Sequence, residues 1–292
     1  MVSEYKDIIS AISDKFNNAI TELEIITWLE NFDENDWKLA LIVLNNFEYY
    51  STPDILKEFE NGLQNIISQI ERRTKIYAVP VGKIGKSGAA MIYYLKKIKL
   101  FKDSKVSIIE NFDFSKVKSQ DKLILVDDFS GSGGSILDFY EIIKLSLPKK
   151  VEVVALTVAY TTDAGKRLEK AGINIYGNER LAIFSSRGSI FGYYPKMKVI
   201  RDFCFKYGDK LYPEEFYKQK HTLQHPLGYA NSQALIGFEH SIPNNTLPII
   251  WADKEIKGTN IKWHPLFPRR GSLIIKKANN FKQEQRYWTS IL

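Results

Sequence analysis

Asp127 and Asp128 stand side by side, directly after the apolar run Leu123, Ile124, Leu125 and Val126. Directly after them come Phe129, Ser130, Gly131, Ser132, Gly133, Gly134 and Ser135. Adjacent carboxylates accept hydrogen bonds from neighbouring hydroxyls, so the pair suits the vicinal hydroxyls of a sugar. Glycines without a Cβ let the main chain wrap tightly round an anion, and the serines add hydroxyl donors. Where such a loop runs into a helix, main-chain N–H groups and the helix dipole favour a phosphate. The chemistry this spacing suits is a ribose phosphate, with hydroxyls on the acids and the phosphate one step along on residues 129–135. The competing reading is an ordinary strand–turn–helix joint. The doubled acid in front of the Gly/Ser run weighs against it.

A second unit of the same kind lies upstream. Residues 76–81 form a short apolar run leading into Gly82, Lys83, Ile84, Gly85, Lys86, Ser87 and Gly88, and residues 89–95 then read as a helix. Lys83 and Lys86 carry the charge to meet an anionic leaving group. The alternative is a surface turn with two solvated lysines.

The elements that must position these loops follow from hydropathy. Residues 76–81, 123–126, 151–158 and 173–176 are strand-like, with a further stretch at 106–109, and helical segments stand between them. Strands alternating with helices predict a parallel sheet with right-handed crossovers. Ligands in such sheets bind at the carboxyl ends of strands, which is where both loops fall. Residues 1–73 read as helices. Ile9, Ile12 and Phe16 form one stripe, and Trp37, Leu41 and Leu44 form another, opened by Asp33. Thr52 and Pro53 open a third helix that runs through Ile70, with Gly62 a weak point inside it. The spacing predicts a helical extension over 1–73, an α/β core over 74–210 and an irregular region over 211–292.

Composition bounds the rest. The chain has 292 residues, 44% of them hydrophobic, enough for a full core. It has no apolar run long enough for a membrane span and opens without a signal-peptide core, so a cytoplasmic location and no membrane partner are expected. A lone Cys204 excludes a disulfide framework and reads as a core thiol. Lys and Arg total 41 against 34 acids, a net +7, which suits anionic ligands without choosing among them. The basic residues are dispersed, so a solvated surface competes with a nucleic-acid footprint. His221 and His225 lie four apart, but no acid or thiol cluster joins them as a metal site would require. Trp251, after an apolar stretch in the irregular region, is a candidate platform for a flat acceptor, with core packing as the equal alternative.

Residues 123–135, with the upstream glycine loop, resemble the phosphoribosyl-pyrophosphate motif of type I phosphoribosyltransferases. The match covers about residues 76–180 and departs where Gly131 occupies a place the family usually gives to a hydroxyl residue. The flanks at 28–41, 225–235 and 244–251 resemble the phosphoribosyltransferase-like proteins of bacterial conflict systems, some of which accompany retron reverse transcriptases. The resemblance implies a parallel-sheet type I phosphoribosyltransferase-like core. In it Asp127 and Asp128 hold ribose hydroxyls and a hydrated Mg2+, Phe129 to Ser135 cradle the 5′-phosphate, and Gly82, Lys83, Gly85, Lys86, Ser87 and Gly88 meet pyrophosphate. It implies a mobile loop within 99–121 that closes over the reaction centre, and a hood over the acceptor formed by 211–292. The implied ligand is phosphoribosyl pyrophosphate or a nucleotide. The implied setting is antiviral defence, as an enzyme acting at the ribose anomeric carbon, with a reverse transcriptase or its nucleic acid as partner. A ligand sensor without turnover, and a nucleic-acid- or protein-binding subunit engaged through 1–73, are the alternatives.

Overall fold

A computed structural model describes residues 2–268 except 18, 72, 83–86 and 221, with backbone alone at 2, 3, 87 and 89. The elements in chain order are α1 (Val2–Lys15), α2 (Glu22–Leu29), α3 (Trp37–Asn45), β1 (Glu48–Tyr50), α4 (Thr52–Ile67), β2 (Ile76–Pro80), α5 (Ser87–Lys97), α6 (Lys99–Asp103) and β3 (Ser107–Ile108). They continue with β4 (Lys122–Val126), β5 (Phe129–Ser130), α7 (Gly134–Ile143), β6 (Glu152–Thr161), α8 (Thr162–Lys170) and β7 (Asn174–Arg180). The last are α9 (Tyr194–Leu211), α10 (Glu214–Lys218), β8 (Ile236–Phe238) and α11 (Pro248–Trp251).

The chain divides into two compact units, one of residues 50–182 and one that joins residues 1–49 to 183–292. This differs from boundaries at 73/74 and 210/211. The reason is where the amphipathic helices bury their stripes. α4 lies on the sheet of the 50–182 unit, packed against β6 and β7. Its Gly62 permits that approach, since a Cβ there would stand 2.5 Å from Leu156 Cδ1. Ser51, one residue ahead of the expected cap, opens the helix, and its N–H donates to the Asp54 carboxylate at 3.0 Å.

In the 50–182 unit the strands run in the order β3-β2-β4-β6-β5, with β7 also paired to β6, and all pairings are parallel. The register sets Pro80 beside Val126 and Val126 beside Leu156, so β2, β4 and β6 reach the same edge together. Apolar runs buried on both faces are what a covered parallel sheet requires. Leu123 and Leu125 point to the face that carries Ile136 and Phe139 of α7 and Leu168 of α8.

The discontinuous unit is mostly helical. Ile9 and Ile12 of α1, Phe16 just after it and Trp28 of α2 share one core with Phe203, Cys204 and Tyr207 of α9, and with Ile249, Trp251 and Trp263. Trp28 donates its indole N–H to the Ile249 carbonyl at 2.8 Å, so the first and last stretches of sequence are joined by a buried hydrogen bond. The stripes of residues 1–49 are therefore interior surface rather than an open face. The irregular 211–268 stretch completes that core.

Candidate ribose-phosphate site

The acid pair stands just past the end of β4, between the last β4–β6 pair and the first β5–β6 pair. Asp127 still takes part in the sheet, its N–H donating to the Leu156 carbonyl at 3.1 Å. β4 and β5 keep one register with β6, Val126 beside Leu156 and Phe129 beside Ala159, while the register of β6 against β7 shifts between Leu156 and Ala159. The Val158 N–H donates to the Asp128 carbonyl at 3.1 Å, and Phe129 of β5 pairs with Ala159 of β6. The two successive carboxylates lie at the strand end, 7% and 8% exposed. Thr157, where β6 is irregular against β7, keeps a buried hydroxyl with no hydrogen-bond partner among the described residues. Gly177 lies against it, where a Cβ would stand 2.3 Å from the Thr157 carbonyl oxygen.

Both carboxylates are oriented by the main chain. Asp127 Oδ1 accepts the N–H of Asp128 at 3.0 Å, and Asp128 Oδ1 accepts the N–H of Phe129 at 2.8 Å. Charge-assisted bonds of this kind fix rotamers. Two neighbouring buried carboxylates repel one another, and that favours a cation or several donors in front of them.

The loop that follows is held from behind. Gly133 sits at φ 72°, a left-handed turn that starts α7, and its α-carbon faces α8 so closely that a Cβ would lie 3.4 Å from the Ala164 carbonyl oxygen. Thr161 donates its hydroxyl to the Gly131 carbonyl at 2.6 Å and accepts the Ala164 N–H at 3.1 Å. One side chain thus caps α8 and pins the loop. Arg167 of α8 donates to the Ser132 carbonyl at 3.1 Å, which sets a guanidinium beside the loop. Thr161 and Arg167 escaped sequence reasoning because they lie 30 and 35 residues from their partners. The only local signal was the helix-capping pattern that begins at Thr161.

Of the upstream loop, Lys83, Gly85 and Lys86 lie outside the described residues. Gly82 is at φ 91°, and Ser87 opens α5. Gly88 rests against the ends of β2 and β4, where a Cβ would stand 2.5 Å from the Val81 carbonyl oxygen and 3.1 Å from that of Val126. Glycine is thus required at 88 for close approach to the same edge that carries Asp127.

Asp127, Ser135 and Gly82 line one cavity of about 520 Å³, with Phe112, Phe114 and Phe139 on its apolar walls. Sequence reasoning missed these aromatic residues. Phe112, at φ 55°, is in the left-handed region that a bulky side chain rarely adopts. Its ring centre lies 5.8 Å from that of Phe139.

Trp251 belongs to the core of the other unit. It is 6% exposed, and its indole N–H donates to the Thr246 carbonyl at 2.8 Å. Its neighbour is Tyr212, and this placement gives it a packing role. His225 is a buried polar cap whose Nδ1 accepts the Leu227 N–H at 3.0 Å, and burial pushes its imidazole below the ordinary value of 6.5. Cys204 is fully buried, and desolvation raises its thiol well above the usual range, as for an inert core residue.

Among the described residues, no group of three or more His, Cys, Asp and Glu could hold a metal. Two carboxylates do suit magnesium, which keeps several waters and shares its shell with substrate phosphates. No helix among the described residues is long and apolar enough to cross a membrane.

No curated protein matches the sequence. Among solved structures, orotate phosphoribosyltransferase from Aeropyrum pernix is 19% identical, covering 44% of this chain and 68% of that one, with a TM-score of 0.28. Orotate phosphoribosyltransferase from Mycobacterium tuberculosis H37Rv, in complex with inorganic phosphate, is 14% identical over 44% and 69%, with a TM-score of 0.30. Purine phosphoribosyltransferase from Pyrococcus horikoshii Ot3 is 11% identical over 46% and 91%, with a TM-score of 0.28. The model of the PRTase-CE family matches residues 25–269, well over half of the chain and both of its units. An acid pair at the end of a parallel strand, a glycine turn into a helix and that match agree, and the chain belongs to the PRTase-CE family of phosphoribosyltransferase-like proteins.

Proposed function

We propose that the strand-end site binds phosphoribosyl pyrophosphate or a nucleoside 5′-phosphate together with Mg2+, and acts at the anomeric carbon of the ribose. The observation that carries this reading is the continuous path from Asp127 and Asp128, through the left-handed Gly133, to the start of α7. Asp127 and Asp128 accept the two ribose hydroxyls, one step from the phosphate. Residues 129–135 cradle the 5′-phosphate with main-chain N–H groups and serine hydroxyls, and the nearby Arg167 adds positive charge. The departure at Gly131 spares this function, because main-chain donors carry most of it. Magnesium, held by Asp127 and Asp128 through water or the ribose hydroxyls, would neutralise charge on the departing pyrophosphate. Displacement then runs through an oxocarbenium-like state: the C1–O bond breaks, pyrophosphate leaves with the bonding pair, and the acceptor supplies a new pair to C1. Lys83 and Lys86 are the expected partners of the leaving group.

The flanks that resemble bacterial conflict-system proteins support a role in antiviral defence, with a reverse transcriptase or its nucleic acid as the expected partner. The test is to follow pyrophosphate release by 31P NMR from phosphoribosyl pyrophosphate and Mg2+, alone and with candidate acceptors. Release above the protein-free rate, lost in Asp127→Asn/Asp128→Asn, is the expected result. Tight binding with no release under any acceptor would assign the site to sensing instead.

A further inference from the structure

We infer that residues 185–201, the loop ahead of α9 and the first two turns of that helix, form a stacking surface for single-stranded nucleic acid. Tyr193 and Tyr194 are adjacent, 74% and 63% exposed. The loop that carries them is tied down by two turns, in which the Gly188 N–H donates to the Ser185 carbonyl at 3.4 Å and the Gly192 N–H to the Ser189 carbonyl at 3.1 Å. The Ser189 hydroxyl donates to the Ile183 carbonyl at 2.6 Å and accepts the Phe191 N–H at 3.1 Å. On the inner side Phe184 and Phe191 stack with ring centres 5.6 Å apart, and Met197 and Ile200 enter the same core. The inward apolar positions are thus filled, and two rings are left outside on a hydrogen-bonded backbone. Rings presented this way lose little conformational freedom when a ligand covers them.

The charges decide what covers them. Arg187, Lys196, Lys198 and Arg201 are all exposed, and no Asp or Glu falls within 185–201. Tyr194, Lys198 and Arg201 recur at i, i+4 and i+7, so ring and cations share one face of α9 over roughly 10 Å of its axis. Lys198 pairs with Asp202, whereas no carboxylate pairs with Arg187, Lys196 or Arg201 among the described residues. Unpaired cations select a polyanion, and exposed rings select one with flat faces to offer. A duplex keeps its base faces stacked on one another, so it meets the cations alone; a single strand meets both. Residues 269–292 of this chain carry six Lys or Arg against one acid, and like charge keeps them off this surface. An anionic membrane would take Ile190 and Val199, 50% and 55% exposed, but interfacial surfaces insert Trp, Phe and Leu, and the largest exposed groups here are tyrosines with polar tips.

Fluorescence anisotropy of the full chain tests this with a labelled mixed-sequence DNA strand of about 20 nucleotides, longer than the ~4–16 that single-strand grooves cover, and with its blunt duplex. The strand should bind more tightly than the duplex, and its binding should weaken steeply with salt. Tyr193→Ala/Tyr194→Ala should weaken the strand roughly tenfold or more, while Tyr193→Phe/Tyr194→Phe, which keeps both rings, should bind as the wild type does. Lys196→Ala/Arg201→Ala should lower the slope of log affinity against log salt by about 1.4, for two phosphates at ~0.7 each. All four positions are exposed, and thermal unfolding of the variants verifies that the fold is kept. The outcome does not depend on the ribose-phosphate reading, whose residues lie in the 50–182 unit. No binding of the strand, or equal binding by the wild type and the folded alanine variant at 193 and 194, would overturn the proposal. So would tyrosine-dependent capture on phosphatidylserine vesicles with strand binding unaffected, which would assign the surface to a membrane.

Discussion

At the scale of single residues, burial separates packing residues from candidate chemistry. Trp251 fills the core and satisfies its indole within it. Trp251→Ala should cost about 3–5 kcal/mol in chemical denaturation, whereas a platform exposed to ligand would lose little. His225 gives a pH test. Burial is the chief cause of its lowered pKa, opposed by Glu214, so the fold holds the neutral ring. Its folded value lies below the ordinary 6.5, so the unfolded chain binds the proton more readily. Stability from this residue is therefore full above pH 6.5 and declines as the pH falls through and below that value. His225→Gln should flatten the decline in thermal scans between pH 7 and 5. The acids and glycines of the site were legible because their chemistry is written in consecutive residues. Thr161, Arg167 and Phe112 were not, since each meets the site only through the turn of the sheet.

At the scale of elements, the loops work because particular glycines let strands and helices approach. Gly88 is the sharpest case. A methyl group there meets the main-chain oxygens of Val81, just past β2, and of Val126 in β4, which cannot yield as a flexible side chain would. Gly88→Ala should therefore cost about 1–3 kcal/mol and lower affinity for a phosphorylated ligand. A variant with unchanged stability and binding would show that the edge of the sheet tolerates displacement. The strands at 76–80, 122–126 and 152–161 were legible as apolar runs between helices. β7 was seen only in its first half, because Asn178, Glu179 and Arg180 extend it with polar residues. β5 is two residues long and is separated from β4 only by the acid pair, and no periodicity marks such an element.

At the scale of the molecule, the chain is organised by which helical stripes bury one another, and sequence spacing does not reveal that. A stripe such as Ile9, Ile12 and Phe16 looks the same whether it faces a partner or the chain's own remote end. The structure gives it to a core shared with residues 183–268, so removing residues 1–49 would strip that core of α1, α2 and α3. The truncated protein should aggregate or lose cooperative unfolding; a monomeric, cooperatively folded product would show that residues 183–292 fold unaided. The 50–182 unit carries the candidate chemistry, and the central claim is that its paired carboxylates hold the ribose of a phosphorylated ligand. The most direct measurement is the affinity of the full chain for phosphoribosyl pyrophosphate with Mg2+, by calorimetry, against Asp127→Asn/Asp128→Asn. Each lost charge-assisted bond should cost about 1.5–3 kcal/mol, so the double variant should bind at least a hundredfold more weakly with its far-ultraviolet circular dichroism unchanged. Equal affinity in the two folded proteins would contradict the assignment.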